Sequence, residues 1–223
     1  MRGQAQPARM AESDLVLQPR PIVVKLGGSV VRSQELPAWL DVIAASPRPI
    51  IIVPGGGAFA DEVHAAQAEL GFGDGAAHRM ALLAMDQLAW AVASLRPDFE
   101  VGDTERTLQD ALAQRHVAVW APYSLVADRD DIPQSWAVTS DSLALWLARR
   151  VNAGCCYVIK SIRRQRSDFS AAQLARDGVV DEAFPAMLKD ASFRVHLLGR
   201  GDQAALAASL SGASATACGA KIG

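Results

Sequence analysis

Pro21-Ile-Val-Val-Lys-Leu-Gly-Gly-Ser29 reads as a buried strand that stops abruptly at two glycines. β-branched residues favour a pleated, packed surface, and paired glycines let the backbone turn with positive φ and come close to an anion. The amides that follow such a turn can form an anion-binding concavity. Lys25 adds a positive charge on a movable stem, suited to a phosphate in transfer. The same residues would also make a tight strand–helix turn beside a surface lysine, and this stretch alone leaves the two readings level.

The next apolar run, Pro49-Ile-Ile-Ile-Val-Pro54, repeats the arrangement and ends at Gly55-Gly56-Gly57 ahead of a helical stretch from Phe59 to Leu70. A helix N-terminus favours anions through its unpaired amides and its dipole. No Gly-Lys-Ser/Thr follows, so this is not a Walker loop, and the dinucleotide-binding glycine spacing is absent as well. The plain alternative is a flexible connection. Thr139-Ser-Asp-Ser142 opens another helical stretch, from about Asp141 to Val151. Thr139 or Ser140 suits an N-cap, and the dipole alone would favour Asp141 in a first turn. Asp141 could equally hold one or two catalytic lysines, or Mg through water. Cys155-Cys-Tyr-Val-Ile-Lys160 is a further strand, ending in a second lysine.

Between these runs lie helical stretches at Leu36–Ala45 and Ala76–Leu95, and strands at Val117–Ala121, Arg194–Leu198 and Ser214–Ile222. Apolar strands alternating with helices predict an α/β fold, a three-layer αβα sandwich around a mainly parallel sheet. Ligands bind such sheets at the carboxyl ends of the strands. That edge gathers Lys25–Gly28, Gly55–Gly57, the loop 122–141 and Lys160.

The 223 residues predict one domain over 21–223 behind a flexible tail at 1–20. Half the residues are hydrophobic and 21% are charged, an ordinary globular balance. A net charge of -2 with the signs well mixed gives no nucleic-acid footprint. No apolar run suits a signal peptide or a membrane span. Cys155, Cys156 and Cys218 fit neither a metal site nor a disulfide framework. They read as buried thiols in a reducing cytoplasm. His64, His78, His116 and His196 read as packed or surface groups. Trp90 and Trp146 read as core or interface anchors. Trp120 and Trp136 bracket the acidic loop, where one could wall a pocket.

Taken in order, the lysine–glycine turn, the triple glycine, Thr-Ser-Asp-Ser, the strand ending in Lys160, Leu197-Leu-Gly-Arg-Gly-Asp202 and Cys218-Gly-Ala-Lys-Ile222 resemble the amino-acid kinase family. That family includes acetylglutamate, aspartate, carbamate and uridylate kinases. The resemblance runs from about Pro21 to Gly223 and implies the carbamate kinase-like fold. Phe59-Ala-Asp61, Ala77–Gln87, Ile132-Pro-Gln-Ser-Trp136 and Gly178-Val-Val-Asp181 resemble one branch more closely. That branch phosphorylates an aminomethylfuranyl-methyl phosphate to its diphosphate in methanofuran-type cofactor synthesis.

The resemblance implies the roles. Lys25 and Lys160 would neutralise the transferring phosphoryl group, with Asp141 orienting both. Gly27, Gly28, Ser29 and Ser161 would join the lysines around the ATP phosphates. Gly55, Gly56, Gly57, Asp61, Thr139 and Ser140 would hold the acceptor. Mg would arrive with ATP, without direct protein ligands. An acceptor amine would call for a carboxylate, with Asp61, Asp86, Asp128, Asp130 and Asp131 as candidates. The 128–131 cluster also reads as a solvated loop. Family members usually follow the second lysine with Asp-x-Asp-Gly, whereas here the run is Ser161-Ile-Arg-Arg-Gln-Arg166. Those arginines could grip phosphate or form a basic surface loop. Two alternatives stand beside the furan acceptor: uridylate-kinase-like chemistry, and a nucleotide-dependent oxyanion binding or storage protein. The apolar Ala76–Leu95 helix and the habit of the relatives imply a homo-oligomer.

Overall fold

The computed structural model describes residues 19–163, 168–189, 191–212 and 220–223. Cys218, Arg164–Arg166 and most of the expected last strand lie outside them. The chain begins with strand β1 (Ile22–Leu26), the short helix α1 (Gly28–Val31), α2 (Leu36–Ala44) and β2 (Ile50–Pro54). The helices α3 (Gly57–Leu70) and α4 (Asp74–Ala93) follow, then β3 (Phe99–Gly102), α5 (Glu105–Ala113), β4 (Val117–Trp120) and α6 (Tyr123–Val126). Next come α7 (Ser140–Arg150), β5 (Cys155–Ile159), β6 (Asp168–Phe169), α8 (Ala171–Arg176) and α9 (Phe184–Lys189). β7 (Arg194–Leu198), α10 (Gln203–Leu210) and β8 (Ala220–Ile222) complete it.

The eight strands form one sheet in the order β3-β4-β2-β1-β5-β7-β8-β6. Every pairing is parallel except β7 with β8. β1 lies between β2 and β5, with Lys25 level with Val53 on one side and Val158 on the other. The chain first builds outward from β1 through β2, then returns to its other side with β5. That reversal opens a crevice at the carboxyl ends of β1 and β5.

Two apolar layers cover the sheet. Val23, Ile51, Val53 and Val158 pack with Leu143 and Leu147 of α7 and Leu82 and Met85 of α4. Ile22, Val24, Leu26 and Ile52 face the opposite way, onto Trp39, Leu40 and Ile43 of α2 and Leu206 of α10. Burying each such side chain contributes about 1.5–3 kcal/mol before the loss of chain entropy. Alternate residues of a strand share a face, so Lys25 points the way of Val23, toward α7.

The expected three-layer sandwich is therefore present, with additions. β3 carries Glu100 at its centre and is only half buried at the sheet edge, so it offers no apolar run in the sequence. The strand at 117–120 is thus the fourth. Helices α8, α9 and α10 are six to eight residues long, too short to give a clear helical period in the sequence. The antiparallel β7–β8 pair breaks the parallel rule at one end. Arg20, assigned to the tail, is fastened: its guanidinium donates to Asn152 O, Asn152 Oδ1 and Ala153 O, each at 2.8 Å. No helix among the described residues is long and apolar enough to cross a membrane.

Candidate active site

The centre of the site is one carboxylate holding two ammonium groups. Lys25 is the penultimate residue of β1, with its side chain toward α7, and Asp141 stands in the first turn of that helix. Lys25 is 2% exposed and Asp141 3%. Lys25 Nζ pairs with Asp141 Oδ1, and Lys160 Nζ donates to Oδ2 at 2.6 Å. Burial pushes the Lys25 ammonium down to about 8, with Asp141 opposing and Lys160 adding to the fall. For Asp141, burial acts to raise the pKa, but the two lysines outweigh it and hold the carboxyl below its usual range. Two positive charges against one negative leave a net positive charge in a desolvated place. An anion would neutralise it.

Asp141 owes its position to a residue that reading the motifs one by one does not single out. Thr139 occupies the N-cap of α7 but its side chain caps nothing. Asp181 takes over instead. It accepts from the Thr139 amide and hydroxyl at 2.8 Å and from the Ser142 amide at 3.0 Å. The Ser142 hydroxyl and the Phe184 amide complete its set. The capping role foreseen for Thr139 or Ser140 thus belongs to a side chain 42 residues from Thr139. Burial, and then the nearby Asp141, raise the Asp181 pKa, while the hydrogen bonds from Ser142 and Thr139 oppose them.

The two glycine turns abut. A Cβ on Gly28 would stand 2.5 Å from Gly57 Cα, and one on Gly55 would stand 2.7 Å from Gly28 N. Gly57 also has φ +52, in the left-handed region. Gly55 N donates to Leu26 O at 2.8 Å and Gly27 N to Ile159 O at 3.0 Å, so both turns are hung from the ends of the central strands. Gly56 and Gly57, at the start of α3, line the space beside them, and the first amides of a helix have no partners within it.

That space is a cavity of about 480 Å³. Lys25, Gly28, Ser29, Gly55, Gly56, Gly57, Asp61, Thr139, Ser140, Asp141 and Lys160 all line it. Gly27 and Ser161, also expected around ATP, do not. Gly27 instead packs on the β5 backbone, where a Cβ would meet Ile159 O at 3.1 Å. Of the carboxylates considered for an amine, only Asp61 lines the cavity. Asp128 pairs with Arg79 at 2.7 Å, Asp131 pairs with Arg129 at 2.7 Å, and Asp86 accepts the Tyr123 amide at 3.1 Å. Asp130 does not line it. Trp136 walls the cavity. Trp120 does not: it is wholly buried and stacked 6.0 Å from Trp146. Trp90 is 66% exposed and so is no core anchor of this chain, whereas Trp146 is buried. His78, read as a packed or surface group, is 6% exposed and lines the cavity, as does His64. Asp74 was missed altogether. Its only signal was its place just before the Ala77–Gln87 segment.

The Amino acid kinase family profile matches residues 20–164, which include Lys25, both glycine turns, Asp141 and Lys160. The chain belongs to the amino acid kinase family. It is a phosphotransferase of that family. Its sequence is 26% identical over 187 residues to the [5-(aminomethyl)furan-3-yl]methyl phosphate kinase of Methanocaldococcus jannaschii, covering 79% of this kinase and 86% of the relative. Its fold is similar to that of uridylate kinase from Archaeoglobus fulgidus, with a TM-score of 0.66 at 16% identity, covering 91% and 99% of the two chains. Aspartate kinase from Synechocystis matches with a TM-score of 0.60 at 13% identity, over 80% of this kinase and 37% of that chain. At these identities the solved structures support the fold alone.

Proposed function

We propose that this kinase moves the terminal phosphoryl group of Mg-ATP onto the phosphate of a small acceptor, [5-(aminomethyl)furan-3-yl]methyl phosphate, making the diphosphate needed for a methanofuran-type cofactor. The observation that carries the transfer is the pair of lysines on Asp141 beside the glycine-lined cavity. The acceptor rests on the likeness to the [5-(aminomethyl)furan-3-yl]methyl phosphate kinase of Methanocaldococcus jannaschii.

In this reading an acceptor phosphate oxygen attacks the γ-phosphorus of ATP, a new P–O bond forms, the bond to the β-phosphate oxygen breaks, and ADP leaves. The attacking oxygen is already anionic, so no side chain need remove a proton. Catalysis is then positioning and charge. Lys25 and Lys160 meet the charge spread over the equatorial oxygens. Asp141 keeps the two ammoniums apart and aimed. Gly28 and Ser29 face the ATP phosphates, and Gly55–Gly57 with the first α3 amides face the acceptor phosphate. Both Asp141 oxygens are engaged by lysines, so Mg would be carried by ATP and would supply charge neutralisation there. Gly27 and Ser161 lie outside the cavity lining. We also assign the kinase to the cytoplasm and to a homo-oligomer through α4, whose Met80, Leu83 and Trp90 face outward.

The test is ADP release from Mg-ATP with the furan phosphate, UMP, acetylglutamate or carbamate, with Lys25→Ala as control. Turnover of the furan, falling by about 100-fold or more in Lys25→Ala, is the expected outcome. Turnover of UMP and not the furan would replace the acceptor. ATP binding that survives Lys25→Ala, with no turnover anywhere, would favour a binding or storage protein.

A further inference from the structure

The cavity is lined by both signs of charge: Lys25 and Lys160 sit on Asp141 at the strand ends, and Asp61 and Asp74 line it from α3 and α4. α3 starts at Gly57 beside the lysines and carries Asp61, His64 and Gln67 on successive turns. Gln67 lies about 15 Å along the axis from Gly57, and helical side chains lean back toward the N-terminus. Its amide reaches two groups at once. Trp136 Nε1 donates to Gln67 Oε1 at 2.6 Å, and Gln67 Nε2 donates to Asp74 Oδ1 at 2.8 Å. The Trp136 ring also meets His64 edge-on, with centroids 5.0 Å apart. Gln67 is not in the cavity lining, whereas both groups it ties are.

One turn after Asp74 on α4 comes His78, whose enclosed Nε2 has no hydrogen-bond partner among the described residues. Burial and the neighbouring Arg79 hold His78 below the usual imidazole range, so it adds no positive charge to the cavity lining. Leaving a buried polar atom without a partner is unfavourable, and a polar ligand here would supply one.

We propose that Asp74 and Trp136, set by Gln67, select the acceptor: Asp74 pairs with a cationic amine, and Trp136 backs a flat ring. The cavity then holds a zwitterion lengthwise, phosphate toward the lysines and ammonium toward Asp74. The inference rests on the furan phosphate reading and names the residues that would enforce it. Gln67 is a positioning residue, because it acts only through the other two.

The experiment measures kcat and KM with the aminomethylfuran phosphate and with the same furan phosphate lacking its aminomethyl group. The proteins are wild type, Asp74→Asn and Gln67→Leu. Removing a charge-assisted contact made equally in the ground and transition states raises KM and spares kcat. Asp74→Asn should raise KM for the amine-bearing acceptor about 10- to 100-fold, keep kcat within about threefold, and leave KM for the amine-free acceptor unchanged. Gln67→Leu should show the same split at smaller size, plus a modest loss on both acceptors as Trp136 loosens. Equal losses on both acceptors in Asp74→Asn would mean a merely structural role and overturn the assignment alone. So would no change on either acceptor. Failure of the wild-type protein to turn over the amine-bearing furan would overturn both this assignment and the reading beneath it.

Discussion

Lys25 is the residue whose titration should be visible in the rates. Its pKa near 8 comes mainly from burial, so the free enzyme loses this charge just above neutrality. Only the protonated form meets an incoming phosphate favourably. The value of kcat/KM, which reports the free enzyme, should therefore fall above pH about 8, by about tenfold per unit. Bound triphosphate favours the ammonium, so the limb in kcat should lie further to the alkaline side. Lys25→Arg should remove the limb in whatever activity it retains, because a guanidinium does not titrate there. Initial rates from about pH 6 to about pH 10 decide the matter, and a flat profile would show that this charge is not needed. Lys25, Asp141 and Lys160 were legible in the sequence because each sits at a strand end or helix start, where topology fixes which way it faces. Asp181 and Asp74 were not, because their partners are brought in by the fold. Thr139 lies 42 residues before Asp181. Asp74 owes its place to Gln67 on the preceding helix.

Among the elements, α7 should respond most sharply to a distant change. Asp181→Asn keeps the size of the side chain but places an amide nitrogen among donors. We expect a loss of about 1–3 kcal/mol in denaturant unfolding, and a fall in kcat larger than any rise in KM for ATP. Unchanged kcat would separate the cap from the role proposed for Asp141. The glycine turns should be equally intolerant. Gly28→Ala sets a methyl 2.5 Å from the Gly57 backbone, with no flexible side chain to yield. A stability loss of about 1–3 kcal/mol and a wider gap between the turns should follow, read by thermal melting and by ATP affinity. The long apolar elements could be read before any coordinates, since Ile, Val and Leu runs have few other uses. β3, with Glu100 inside it, and the short helices α8 and α9 could not, since burial of their few apolar residues is decided by neighbours rather than by period.

For the molecule as a whole, the α3–α4 side is the surface with unfinished business. Met80, Leu83, Trp90 and Leu95 are exposed there, with Phe59 and Leu70 on α3. An apolar side of this kind commonly marks an association surface. Light scattering at micromolar concentration should give a mass above one chain, and Trp90→Glu should lower it toward the monomer. A monomeric wild-type protein would contradict the oligomer. The wider architecture was legible because alternating strands and helices leave few topologies, whereas the reversal that brings Lys160 beside Lys25 emerges only from the sheet order. That order also bears on how the chain is made. β1 is completed on one side by β2 soon after synthesis, but its other neighbour, β5, is about 130 residues later. Until Cys155–Ile159 has left the ribosome, the central strand has a bare edge. Nascent chains stopped before that point would carry an open template for pairing with other chains. Slow translation between α4 and β5 would lengthen the nascent chain's dependence on chaperones.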